Sequence, residues 1–172
     1  ALTGIASAAM STTDSLLLAA ALPTAFCGHA VDLGAGTGAV AFRLAARCPA
    51  ARVTAIERDE TALSAANAAR NLPENAAFAS RVTLAAADIT APDSVGAELT
   101  ADAVLFNPPF FVEGRGRPSP DPARTAARRL PAGGLAPWFA AAHRILQAGG
   151  LVATIVPPAR LAEAISAPGF GA

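Results

Sequence analysis

The sequence predicts an α/β fold, with a mostly parallel central sheet and helices on both of its faces. Three observations predict it. Short apolar runs rich in Val, Ile and Leu recur along the chain, as strands buried on both faces require. Helix-like segments separate them, which is the pattern of βαβ units. The first run also ends in a glycine-rich turn that opens a helix, "VDLGAGTGAV".

Taken in order, the strands are expected in "HAVDLG", "RVTAIE", "RVTLAAAD", "ADAVLFN" and "GLVATIV". The helices between them are expected in "GAVAFRLAARC", "DETALSAANAARNL" and "LAPWFAAAHRILQAGG", the last stopping on its glycines at Gly150. "PARLAEAISA" is helix-like again. The fourth strand must stop near Phe106, because Pro108 and Pro109 donate no ladder hydrogen bond. One segment departs from the pattern. Residues 114–131, "GRGRPSPDPARTAARRLP", hold four prolines and five arginines against one Asp. A long loop is expected over 111–131, with a short helix near 122–129. Long loops in compact domains commonly carry function.

A chain of 172 residues suits one domain over 1–172 with a sizeable core. A hydrophobic fraction of 53% and mean hydropathy of +0.42 argue against disorder. Much of that is alanine, and no window offers 18 strongly apolar residues for a membrane span. "SLLLAAALPTAF" is too short, is interrupted by Pro23 and follows no basic segment, so it is not expected to be a signal peptide. Net charge is zero and every base is arginine, a compositional bias. Cys27 and Cys48 have neither metal-ligand spacing nor a disulfide framework, so both are expected as small buried hydrophobes in a reduced, cytoplasmic protein. No metal is expected.

The candidate site is built from strand tips. Gly34, Gly36 and Gly38 permit a tight turn and a close approach by a ligand. Their G-x-G-x-G spacing differs from the G-x-G-x-x-G of dinucleotide folds, and alone it fits an ordinary βα turn. It is accompanied by Asp32 on the first strand, Glu57 at the tip of the second and Asp88 at the tip of the third. An acid at the second tip suits the two ribose hydroxyls of a nucleoside. Separately, Glu57 is explained by a helix N-terminus and Asp88 by a turn cap. Together, at successive strand ends beside a glycine turn, the three point to a ligand outside the carboxyl edge of the sheet.

This ordered set, "VDLGAGTG", Glu57, Asp88 and "NPPF", resembles the class I S-adenosylmethionine-dependent methyltransferases. The resemblance implies their Rossmann-like fold and S-adenosyl-L-methionine as cofactor. More narrowly, "TTDSLLLAAALP", "NPPF" and "GRGRPSPDPAR" are similar to bacterial adenine-specific enzymes that methylate transfer RNA at the exocyclic amine. By that resemblance Gly34, Gly36 and Gly38 wrap the methionine part beside Asp32, and Glu57 holds the ribose. Asp88 meets the adenine amine, flanked by Ile89 and Arg58. Thr13 and Asp14 close over the methionine end. The family usually continues for two more strands after "GLVATIV", the last antiparallel, so the C-terminal strands are expected to be missing here.

"NPPF" then has a chemical reason. An exocyclic amine has its lone pair delocalised into the ring and is a poor nucleophile. The Asn107 side-chain oxygen and the Pro108 carbonyl would accept both N–H groups, favour a pyramidal nitrogen and aim its lone pair. Pro108 and Pro109 lock φ near −65° and so fix the carbonyl direction. Phe110 offers a stacking face, a contact of ~1–3 kcal/mol per base. No metal or general base is required. Arg115, Arg117, Arg124, Arg128 and Arg129 are expected to meet RNA phosphates, with a solvated loop as the alternative. Other substrates share the motif: the glutamine amide of protein release factors, guanine N2 in ribosomal RNA, and DNA adenine. A non-enzymatic RNA-binding module is the remaining reading. Oligomeric state is not encoded in any of these features.

Overall fold

The computed structural model describes residues 13–91, 95, 98–109 and 133–169. Phe110, the five loop arginines and the helix expected near 122–129 lie outside them.

The first described element is a helix, α1 (Thr13–Ala20). The apolar tract beginning at Leu16 is thus part of a surface-to-core helix: Leu16 and Leu17 are exposed, while Leu18, Ala19 and Leu22 are buried. β1 (His29–Leu33) leads through the glycine turn into α2 (Ala39–Arg47), followed by β2 (Arg52–Glu57) and α3 (Glu60–Arg70). A 3-10 turn at Pro73–Asn75 runs into the one-turn α4 (Ala76–Ala79), a pair not expected from sequence. It exists to deliver Phe78, whose ring meets Phe42 of α2 at 6.2 Å. β3 (Val82–Ala86), β4 (Ala101–Phe106), α5 (Ala136–Ile145), β5 (Leu146–Thr154) and α6 (Leu161–Ile165) complete the order.

All five strands are parallel, in the order β3-β2-β1-β4-β5. The chain builds outward from β1 to β3, then returns to the other side of β1 with β4. The reversal makes the carboxyl ends of β1 and β4 a topological switch point, where ligands of such sheets bind. Each strand's alternate residues feed two cores. Ala30, Ala103 and Leu105 pack with α1, α2 and α3; Val31, Leu33, Val104 and Phe106 pack with α5. β4 is buried on both faces, which is why it reads as a continuous apolar run.

Three expectations are corrected. α5 ends at Ile145 rather than Gly150, because Leu146 already pairs with Ala101 of β4. The next paired residues are Leu151 and Ala103, so the strand bulges between them and Gly149 turns there with φ 79°. β3 stops at Ala86, where its ladder with Glu57 ends, leaving Asp88 in a turn. Cys48 is buried as expected, but Cys27 is exposed on the loop before β1. Among the described residues no helix is long and apolar enough to cross a membrane.

Candidate active site

Register sets the site. Leu33 of β1 is paired with Ile56 of β2 on one side and Phe106 of β4 on the other, so Gly34, Glu57 and Asn107 follow at one level of the sheet's carboxyl edge. All three glycines of the turn have positive φ: 65° at Gly34, 55° at Gly36 and 83° at Gly38. They differ in what surrounds them. A Cβ at Gly34 would lie 2.5 Å from Trp138 Cη2, whereas a Cβ at Gly36 would meet nothing within 4 Å. Gly34 is therefore glycine for packing, and Gly36 faces open space.

Glu57 closes this turn from the next strand. Its Oε2 accepts the Gly36 N–H at 2.8 Å, and its Oε1 accepts the N–H groups of Arg58 and Asp59 at 2.8 Å each. The side-chain cap of α3 is Asp59, which accepts from Thr61 and Ala62, while Glu57 holds the two N–H groups that lead into the helix, so its charge still lies at that helix N-terminus. Asp32 is buried, with only 2% of its surface exposed. Its Oδ2 accepts the Ala41 N–H at 3.1 Å, in the first turn of α2. The residue at the head of α2, Gly38, has no side chain to cap it, so a strand carboxylate satisfies an orphan donor instead. Burial pushes the Asp32 carboxyl up to about 7; the Ala41 hydrogen bond opposes this and the charge of Glu57 adds to it.

Asp88 holds its own turn. Its Oδ1 accepts from the Thr90 hydroxyl at 2.6 Å and the Thr90 N–H at 2.9 Å, and its Oδ2 meets Arg58 at 3.3 Å. These Thr90 bonds, then Arg58, hold its carboxyl below the usual range. The turn-cap explanation thus describes Asp88 in this state. The Arg58 side chain is 60% exposed, so the pair contributes little. Ile89 is buried in the core under α5. Thr13 and Asp14 open α1, Thr13 exposed and Asp14 half-buried.

The β4 tip is built differently. Phe106 is fully buried, stacked on Trp138 at 5.8 Å and meeting the edge of Phe139 at 5.2 Å. That anchor presents Asn107, the next residue. Asn107 Oδ1 is buried and has no hydrogen-bond partner. Pro108 is buried and Pro109 half-buried behind it. Two more side chains at this edge share the condition. Trp138 Nε1 and Thr154 Oγ1 are both buried without a partner. Neither was singled out from sequence: a Trp on an amphipathic helix and a Thr on a strand carry no local signal of such a place. Among the described residues no group of three His, Cys, Asp or Glu side chains is arranged to hold a metal ion.

Known proteins share this architecture. The family model described as methyltransferase small domain matches residues 1–156. The tRNA1(Val) (adenine(37)-N6)-methyltransferase of Aeromonas hydrophila is 38% identical over 157 residues, 88% of this chain and 61% of that protein. The release factor glutamine methyltransferase of Mycolicibacterium smegmatis is 46% identical over 86 residues, 49% of this chain and 28% of that one. A solved structure, a predicted O-methyltransferase from Agrobacterium tumefaciens, superposes with a TM-score of 0.70 at 31% identity, covering 91% of this chain and 67% of that one. The chain spans about half to three fifths of the length of the curated tRNA-modifying relatives that match most of it. On the family match, the fold and the strand-tip site, the chain belongs to the methyltransferase small domain family.

Proposed function

We propose that this chain is an S-adenosylmethionine-dependent N-methyltransferase acting on the N6 amine of adenine in transfer RNA. One observation carries the reading: a buried, unpartnered side-chain oxygen, Asn107 Oδ1, stands at the switch point one strand away from an open glycine turn. An unmet buried acceptor costs ~1–3 kcal/mol, so a ligand that donates to it recovers that cost.

The residues present fit the cofactor. The open space at Gly36 admits its methionine part; in this reading Asp32 lies beside that part and Thr13 and Asp14 close over it. Glu57 takes the ribose. A carboxylate has about four lone-pair sites, and Glu57 already accepts three N–H groups, so receiving two hydroxyls requires it to release one. The Gly36 N–H is the bond at the open side. Asp88, Ile89 and Arg58 flank the adenine. The bound cofactor supplies an activated methyl group. Asn107 Oδ1 and the Pro108 carbonyl accept the two N–H groups of the target amine, which orients its lone pair. Phe110 stacks on the target base, and Arg115, Arg117, Arg124, Arg128 and Arg129 meet RNA phosphates.

The similarity to a release factor glutamine methyltransferase favours a second reading, since a side-chain amide presents the same pair of N–H groups. Transfer of labelled methyl from S-adenosylmethionine into separated tRNA, ribosomal RNA, DNA and protein decides between them. Label in N6-methyladenine of tRNA is expected. Label confined to a release factor glutamine replaces the first reading with the second, and no transfer to any fraction refutes both.

A further inference from the structure

Three residues around the carboxyl ends of β4 and β5 each carry a buried polar atom without a partner: Asn107 Oδ1, Thr154 Oγ1 and Trp138 Nε1. Thr154 is the register partner of Phe106, so the two side chains leave the same face of the sheet. Phe106 stacks on Trp138 at 5.8 Å with 29° between the rings. Trp138 is only 7% exposed, and its benzo edge closes on Gly34 of the glycine turn. The indole thus touches both halves of the site while its one polar atom has nothing to bond. Buried tryptophan N–H groups normally find a partner.

The chemistry of the three atoms is complementary to one edge of a base. Asn107 Oδ1 only accepts. Trp138 Nε1 only donates, and the Thr154 hydroxyl can do either. Adenine carries its amine, a donor, between two ring nitrogens that accept. We propose that Trp138 and Thr154 read the target: the indole N–H donates to a ring nitrogen flanking the amine held by Asn107, and the Thr154 hydroxyl supports the same edge. This rests on the adenine reading given above. It also assigns Trp138 a second task, since its ring seated on Gly34 and Phe106 sets the distance between the cofactor turn and the acceptor tip.

The test uses the full chain, saturating S-adenosylmethionine and a tRNA(Val) anticodon stem–loop whose target position holds adenine, 1-deazaadenine or 7-deazaadenine. W138F keeps an aromatic ring and removes the N–H; T154V keeps the shape and removes the hydroxyl. On adenine, W138F is expected to lower kcat/KM about tenfold and T154V about threefold to tenfold, the scale of one hydrogen bond. On one deaza RNA, the one lacking the nitrogen that Trp138 contacts, W138F and wild type are expected to converge; which analogue does so identifies N1 or N7. Wild-type rates for both variants on adenine overturn the proposal. So does an equal W138F loss on all three RNAs, which makes Trp138 a packing residue. A wild-type chain that methylates none of the three overturns the adenine reading and this proposal with it.

Discussion

At the tips of β1, β2 and β3 every acid is held: Asp32 by Ala41, Glu57 by three backbone N–H groups, Asp88 by Thr90 and Arg58. At the tips of β4 and β5 the side-chain oxygens Asn107 Oδ1 and Thr154 Oγ1 are buried and have no hydrogen-bond partner. The two regions lie side by side in one sheet edge, yet one is self-satisfied and the other waits for a partner. On the proposed reading, the donor half exchanges hydrogen bonds when the cofactor arrives and so binds by substitution. The acceptor half then gains hydrogen bonds it did not have, so its contribution is concentrated where the target is positioned. That is the distribution expected if cofactor affinity and transfer rate depend on different strands.

The largest expected effect tests that separation. Asn107→Ala is expected to lower single-turnover kcat by ~10²–10³ while cofactor affinity stays near wild type, as for loss of one positioned hydrogen bond at a reacting centre. Calorimetry and rapid-quench methylation measure the two quantities. An equal loss in both would erase the distinction between the halves. Asn107→Asp, which keeps an acceptor oxygen, is expected to retain partial activity.

Next comes Glu57→Ala, with a loss of ~1–3 kcal/mol in cofactor binding read by calorimetry. Its kcat at saturating cofactor should change far less than that of Asn107→Ala. Unchanged affinity would remove Glu57 from the site and leave it only as the clasp on Gly36.

Asp32 sharpens the donor side through pH. Its carboxyl is raised from 3.8 to about 7 in the fold by burial, so the folded state prefers the neutral form. The contribution of Asp32 to stability is therefore greatest below its ordinary value and declines as pH rises toward 7, by about 1.4 kcal/mol per pH unit in between for one proton. Urea denaturation of wild type and Asp32→Asn across this range checks it: the variant should show the flatter profile. If both profiles have the same slope, other groups set the pH dependence. The smallest effect is expected for Arg58→Ala. Its exposed pair with Asp88 should contribute no more than about 1 kcal/mol to the unfolding free energy measured by urea denaturation, and less at high salt.

The sequence by itself determined the alternation of strands and helices and the three acids. It determined the glycine turn and the end of β4 at the prolines, because hydrophobic runs, proline and glycine act locally through burial and backbone geometry. The place of Asn107 at the end of β4 was legible for the same reason: it follows an apolar strand and precedes two prolines. Only the tertiary structure decided the rest. The α5 boundary moved from Gly150 to Ile145 because pairing with Ala101 outweighs the local helix signal. The division of labour between Glu57 and Asp59 depended on which side chain reaches the Gly36 N–H and which the head of α3. Trp138 was placed beside the glycine turn and the β4 tip only through Phe106 and Gly34, residues 32 and 104 positions earlier in the chain. A buried N–H or oxygen becomes informative only when its neighbours are known, since the cost of leaving it unpaired is a property of the packed site and not of the residue.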